Sequence, residues 1–282
     1  MHARPQAPMD FNKYRITDPL ITEAIYGSYH TCRKSLTKNC NGYVNNDIGE
    51  YGRAILEFLA ASYFHIVRFP GSEPYYWGDS GFYRDFYGVT RESISAALDE
   101  FDKMYRHVQN ELSSSDIVKD GKIHLVRALR HVEEEAIIPQ ISAHAPKILM
   151  PANILTSYAH DGRLNSYNSD YTVIRDVETE KIFFYDDCFE GPDSVCCHSG
   201  EAEVWVLNDD VFGAIELPPE SFYDRAAGAM VSYTPSEKAD DEVHFRAFPS
   251  SEPSLPKPCE YNNLTRWLIE RNEKKIRELY GL

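Results

Sequence analysis

Residues 122–130, Lys-Ile-His-Leu-Val-Arg-Ala-Leu-Arg (KIHLVRALR), are where the hydrophobic period of the chain changes. Before them, apolar residues recur at three-to-four spacing. After Asp120-Gly121, apolar and polar residues alternate, as they do on a strand whose successive side chains point to opposite faces. Upstream, Thr90 is placed to cap RESISAALDEFDKMYRHVQNEL. There Ile94, Leu98, Phe101, Tyr105 and Val108 form one apolar stripe, and SSSD ends the helix. Two further amphipathic helices are expected near Asp18 to Ser35 and Asp47 to Phe69, with Asp47 as N-cap for Ile48, Tyr51, Ile55, Phe58 and Leu59. Downstream, ILMPANILTSY, YTVIRDV, EKIFFYDD and EAEVWVL are short β-strand candidates.

The reading that follows is an α+β fold, with a helical N-terminal half packed on two short antiparallel sheets. Its parts are a flexible tail over 1–10, a helical region over 11–112, a β-rich core over 113–233, and a Pro-rich segment with a C-terminal helix over 234–282. The aromatic-rich loop PGSEPYYWGDSGFYRDFYG between helices would waste its rings in solvent and is expected to pack across a surface groove. Pro218-Pro219 and the run from Thr234 to Pro258 read as irregular or edge structure, ahead of a helix around Tyr261 to Tyr280 expected to dock on the core or to bind a partner.

Bulk composition narrows the function classes. The chain has 282 residues, 43% hydrophobic and 13% aromatic, which suits a folded domain rather than a disordered one. A net charge of −15 opposes a broad phosphate-binding surface, so a protein target is favoured over nucleic acid or an anionic membrane. No run reaches the roughly 18 apolar residues of a membrane helix, and MHARPQAPMDF lacks the apolar stretch of a secretory signal. The six cysteines do not resemble a disulfide framework. A soluble, intracellular protein is expected, and an effector delivered into a host cell without a cleaved signal would look the same.

Three short segments carry residues suited to chemistry at an anomeric carbon. Arg127 in HLVRALR can offer a guanidinium fork to phosphate or ribose oxygens. In MPANILTSYA an apolar stretch ends on Thr156 and Ser157, whose hydroxyls can orient a ribose or a carboxylate. HSGEAEVWVL sets Glu201 and Glu203 two apart, on one face of a strand. Glu203, at the head of an apolar run, is expected to be partly buried, and Glu201 to lie nearer solvent, where it can take a proton from an acceptor. Each segment alone also reads blandly, as a paired strand-edge arginine, a turn hydroxyl and a solvated acidic strand start.

In this order, over about Thr90 to Leu217, the segments resemble the mono-ADP-ribosyltransferase family in its arginine, serine-threonine-serine, glutamate-x-glutamate branch. HLVRALR looks like its arginine strand, usually written L-Y-R-G; ILTSYA resembles its serine-threonine-serine strand and GEAEVWV its E-x-E-V strand. The resemblance implies NAD as substrate, bound in a cleft between the two sheets, and transfer of ADP-ribose to a target protein side chain, most often arginine. It implies that Arg127 contacts NAD, that Thr156 and Ser157 support the nicotinamide ribose, that Glu203 bonds the ribose 2′-hydroxyl, and that Glu201 assists the transfer. It also places target recognition in the loop Gly191 to Gly200.

Val126 and Ala128 flank the arginine where the family has Tyr and Gly, and Leu155 stands in place of the first serine. If that serine fixes the catalytic glutamate, the role passes to Ser157 or turnover is lost. Two alternatives therefore stay open: a non-catalytic NAD-binding or interaction module, and a transferase acting on nucleic acid. Neither a metal nor a cysteine nucleophile is expected. Cys188, Cys196, Cys197 and His198 lack paired ligand spacing, Asp186-Asp187 reads as a solvated strand end, and no Gly-rich phosphate loop occurs.

Overall fold

A computed structural model describes residues 11–22, 24–25, 50–66, 90–129, 131–145, 147–160, 170–190, 203–210 and 214–231, with 234, 236 and 274. The aromatic loop after the second expected helix, the loop 191–200, Glu201 and nearly all of the expected C-terminal helix lie outside them. Helix α1 spans Glu50–Tyr63 and α2 spans Arg91–Ser113. Thr90 caps α2 as the sequence predicts. Its hydroxyl accepts from the Ser93 N–H at 3.2 Å, and the Ser93 hydroxyl accepts in return from the Thr90 N–H at 2.9 Å.

The strands are β1 (Lys122–Ala128), β2 (Ile148–Pro151), β3 (Leu155–His160), β4 (Tyr171–Glu178), β5 (Ile182–Tyr185), β6 (Glu203–Leu207), β7 (Ala214–Leu217), β8 (Phe222–Asp224) and β9 (Ala229–Met230). A further helix, α3 (His131–Ser142), follows β1. The two sheets are unequal. Among the described residues, seven strands join in the order β5-β6-β3-β1-β4-β8-β9, and β2 and β7 form the second sheet. Every pair between these strands is antiparallel. The architecture is thus mixed helix and mostly antiparallel sheet, with the division between sheets differing from the expectation of two short ones.

Aromatic packing seats α2 on the β5 end of the large sheet. Phe101 stacks on Phe183 at 4.1 Å between ring centroids, and Phe184 lies between Trp205 at 4.4 Å and Phe189 at 4.6 Å. Gln109 of α2 donates to the carbonyls of Thr179 and Ile182, and the Tyr105 hydroxyl donates to that of Glu180. The segment that begins at Phe11 forms a strap across α2. Tyr14 exchanges main-chain bonds with Cys188 and Glu190, and Asn12 donates to Glu111.

Helix α3 is absent from the sequence reading, because Pro139 within it argues against a helix and its acidic start hides the apolar side. Gln140, fully buried, completes the edge of β2 in the way a neighbouring strand would. Its amide donates to the Leu149 carbonyl at 2.8 Å, and its oxygen accepts from the Leu149 N–H at 2.9 Å.

Glu100, only 3% exposed, ties the strap to α2 by accepting from the N–H of Thr17 at 2.7 Å and from its hydroxyl at 3.1 Å. Burial raises the carboxyl's pKa, but the bonds from Thr17 and from the Tyr14 hydroxyl outweigh it and leave the group below its usual value. A depressed carboxylate stabilises the fold above the unfolded-state pKa, and that stability is lost as pH falls through the folded-state value. Glu100→Gln should therefore cost roughly 1–3 kcal/mol at neutral pH. Denaturant unfolding of the variant should show a smaller loss of stability below about pH 4.5 than wild type, 4.5 being the ordinary value for this group.

Candidate functional site

The strands bearing the expected site residues are consecutive neighbours, β6-β3-β1. Register decides which side chains meet. Ala159 pairs with Glu203, Ser157 with Trp205 and Leu155 with Leu207, so these six share one face of the sheet. Val126 joins that face through its pairing with Ala159. Thr156 and Tyr158 turn to the other face with Val206 and Val204.

Ser157 and Glu203 are diagonal neighbours, and the Ser157 hydroxyl donates to Glu203 Oε1 at 2.5 Å. The carboxylate opens an entirely buried strand and is itself only 4% exposed, deeper than the partial burial its sequence position suggests. A carboxylate withdrawn from water requires donors, and the serine hydroxyl is one. Leu155, in the position of the missing first serine, is buried on this face opposite Leu207. The hydroxyl bound to the glutamate thus belongs to the last residue of the triplet.

Arg127 approaches the same serine from elsewhere. Its pairing with Val173 puts it on the face of Leu125 and Tyr158, opposite the Ser157 side chain. The paired register of β1 with β3 covers only Leu125 and Val126, and beyond it the guanidinium reaches the main chain of β3. Nη1 donates to the Ser157 carbonyl at 2.5 Å, while Nε and Nη2 both donate to Glu133 Oε1, at 3.1 and 2.8 Å. Side-chain exposure of this ion pair is 10% for Arg127 and 7% for Glu133. Arg127, Ser157 and Glu203 therefore belong to one hydrogen-bonded group.

Thr156 does not belong to it. Its hydroxyl donates to the Asn153 carbonyl at 3.3 Å and the residue is buried. The expectation for Glu201 concerns a residue outside those described.

Two acidic residues near the site escaped the sequence reading. Glu133 begins the acidic run 133–135, to which the sequence alone assigns no role. Helical spacing was the available signal: Glu133, Ala136, Ile137 and Gln140 recur at one-turn intervals and all are buried. Glu57 lies fully buried on α1 and accepts from the Leu155 N–H at 3.4 Å, holding the start of β3. Cys188, by contrast, is a poor nucleophile. Desolvation, then Glu111 and the two neighbouring aspartates, push its thiol well above the usual range, and only the thiolate attacks.

Comparison of the chain with protein-family models, with curated proteins and with solved structures gave no match. No helix among the described residues is long and apolar enough to cross a membrane.

Ser157→Ala should leave Glu203 short of a donor and destabilise the fold by about 1–3 kcal/mol, whereas Glu203→Gln, which needs less compensation, should mask much of that loss. A double-mutant cycle on unfolding free energies checks this. A coupling of about 1–3 kcal/mol is expected, and one under about 0.5 kcal/mol would mean that the pair does not interact in solution.

Proposed function

We propose that the chain is an NAD-dependent mono-ADP-ribosyltransferase. The observation carrying this reading is the hydrogen bond from Ser157 to the buried Glu203 on adjoining strands, with Arg127 bonded to the same serine. These are the residue types that the resembled family uses, in its order, and here they belong to one group although they are distant in sequence.

The chemistry follows from what a buried, hydroxyl-bound carboxylate can do. As the bond between ribose C1′ and the nicotinamide nitrogen breaks, nicotinamide leaves with the electron pair and positive charge develops on the ribose. Glu203, fixed in rotation by Ser157, stabilises that charge and accepts a hydrogen bond from the 2′-hydroxyl. Little reorganisation is then needed at the moment of reaction. A nucleophilic side chain of a target protein, arginine by the glutamate-x-glutamate pattern, attacks C1′ as Glu201 takes its proton. Arg127, on the other face of the sheet, supports the site through the Ser157 carbonyl it binds, and Ser157 bears on the nicotinamide ribose through the carboxylate it holds. Thr156 contributes by shaping the turn before β3, a more indirect part than a ribose contact.

Purified protein should release nicotinamide from NAD, and Glu203→Gln should lower that rate by about 10²–10³-fold while leaving the fold intact. Cell lysate and labelled NAD identify the acceptor. Label on protein supports the proposal, label on nucleic acid redirects it to a nucleic-acid target, and NAD binding without release by the wild type would leave a binding module.

A further inference from the structure

We infer that Glu133 is a positioning residue of this site, acting through Arg127; the link to NAD rests on the function proposed above. The guanidinium is held at two points. Glu133 Oε1 takes both N–H groups of the Nε/Nη2 edge, and the Ser157 carbonyl takes Nη1. Two bonds converging on one oxygen fix the direction of that edge, and the third fixes rotation about it, so the plane of Arg127 is set. Glu133 can do this because α3 starts soon after β1 ends, which places its first turn beside the arginine.

The role of Glu133 lies in where its oxygen sits. Ser157 receives Arg127 at its carbonyl and gives its hydroxyl to Glu203. A shift of the guanidinium therefore moves the strand position from which the carboxylate is held. Among the residues 131–142 the acidic run offers three candidates, and Glu133 is the one on the buried stripe with Ala136, Ile137 and Gln140. Glu133 touches neither NAD nor the reacting atoms. It acts on them by fixing what Arg127 and β3 present.

Two variants separate reach from charge. Glu133→Gln keeps the oxygen at nearly the same distance and removes the charge; Glu133→Asp keeps the charge and withdraws the oxygen by one methylene. The first readout needs no NAD: the Arg127 Nε–H resonance in nitrogen-15 NMR, assigned by its loss in Arg127→Lys, and its exchange with water. Protection in wild type and Glu133→Gln, with at least tenfold faster exchange in Glu133→Asp, is expected. Equal protection in all three proteins, or loss in Glu133→Gln alone, would overturn positioning by reach.

The second readout is NAD affinity by calorimetry beside kcat for nicotinamide release. Glu133→Asp should weaken NAD binding and lower kcat, each about tenfold, while Glu133→Gln stays within about threefold on both. The opposite ranking would assign Glu133 to charge compensation alone. If wild type neither binds nor cleaves NAD while the resonance pattern holds, the transferase reading fails and the positioning of Arg127 by Glu133 stands.

Discussion

The arrangement depends on how one residue, Ser157, spends its two polar groups. Its carbonyl lies in the plane of the sheet and receives Arg127; its hydroxyl stands out of that plane and meets Glu203. Main chain and side chain of a strand residue point in roughly perpendicular directions, so a single residue can bind groups presented on opposite faces. Two buried carboxylates and one largely covered guanidinium are thereby brought into one network. Such a set is tolerable in a core only when its members are hydrogen-bonded, because an uncompensated buried charge costs several kcal/mol.

Sheet order makes this possible. The three strands involved are adjacent, yet β4 and β5 intervene in the chain between β3 and β6. The helices supply what the strands lack. α2 covers the β5 end with stacked rings, α1 reaches Leu155 through Glu57, and α3 delivers Glu133. Helices and sheet are thus joined at the site by polar contacts as well as by apolar packing.

Local signals in the sequence were reliable where a local cause acts. Thr90 caps α2, the stripe from Ile94 to Val108 faces the core apart from the half-buried Tyr105, and alternation in KIHLVRA marks β1. The order Arg127, Ser157, Glu203 was also visible, because each lies on a short apolar strand. What could not be read is non-local. Whether strands divide into two similar sheets or into seven and two depends on pairing partners, which alternation does not specify. Adjacent residues Thr156 and Ser157 looked equivalent as hydroxyls, yet the pleat sends them to opposite faces. Glu133 was hidden by its acidic neighbours, and β7 by its short length beside Pro218-Pro219.

Gln109 has a consequence beyond holding α2 in place. β5 borders the large sheet, and a border strand offers unpaired main-chain groups to any other extended chain. By donating to the carbonyl of Ile182 at the start of β5, and with Tyr105 to those of Thr179 and Glu180 in the turn before it, α2 covers acceptors at one end of this margin. The helix that builds the core thus also covers one end of a margin at which another extended chain could pair.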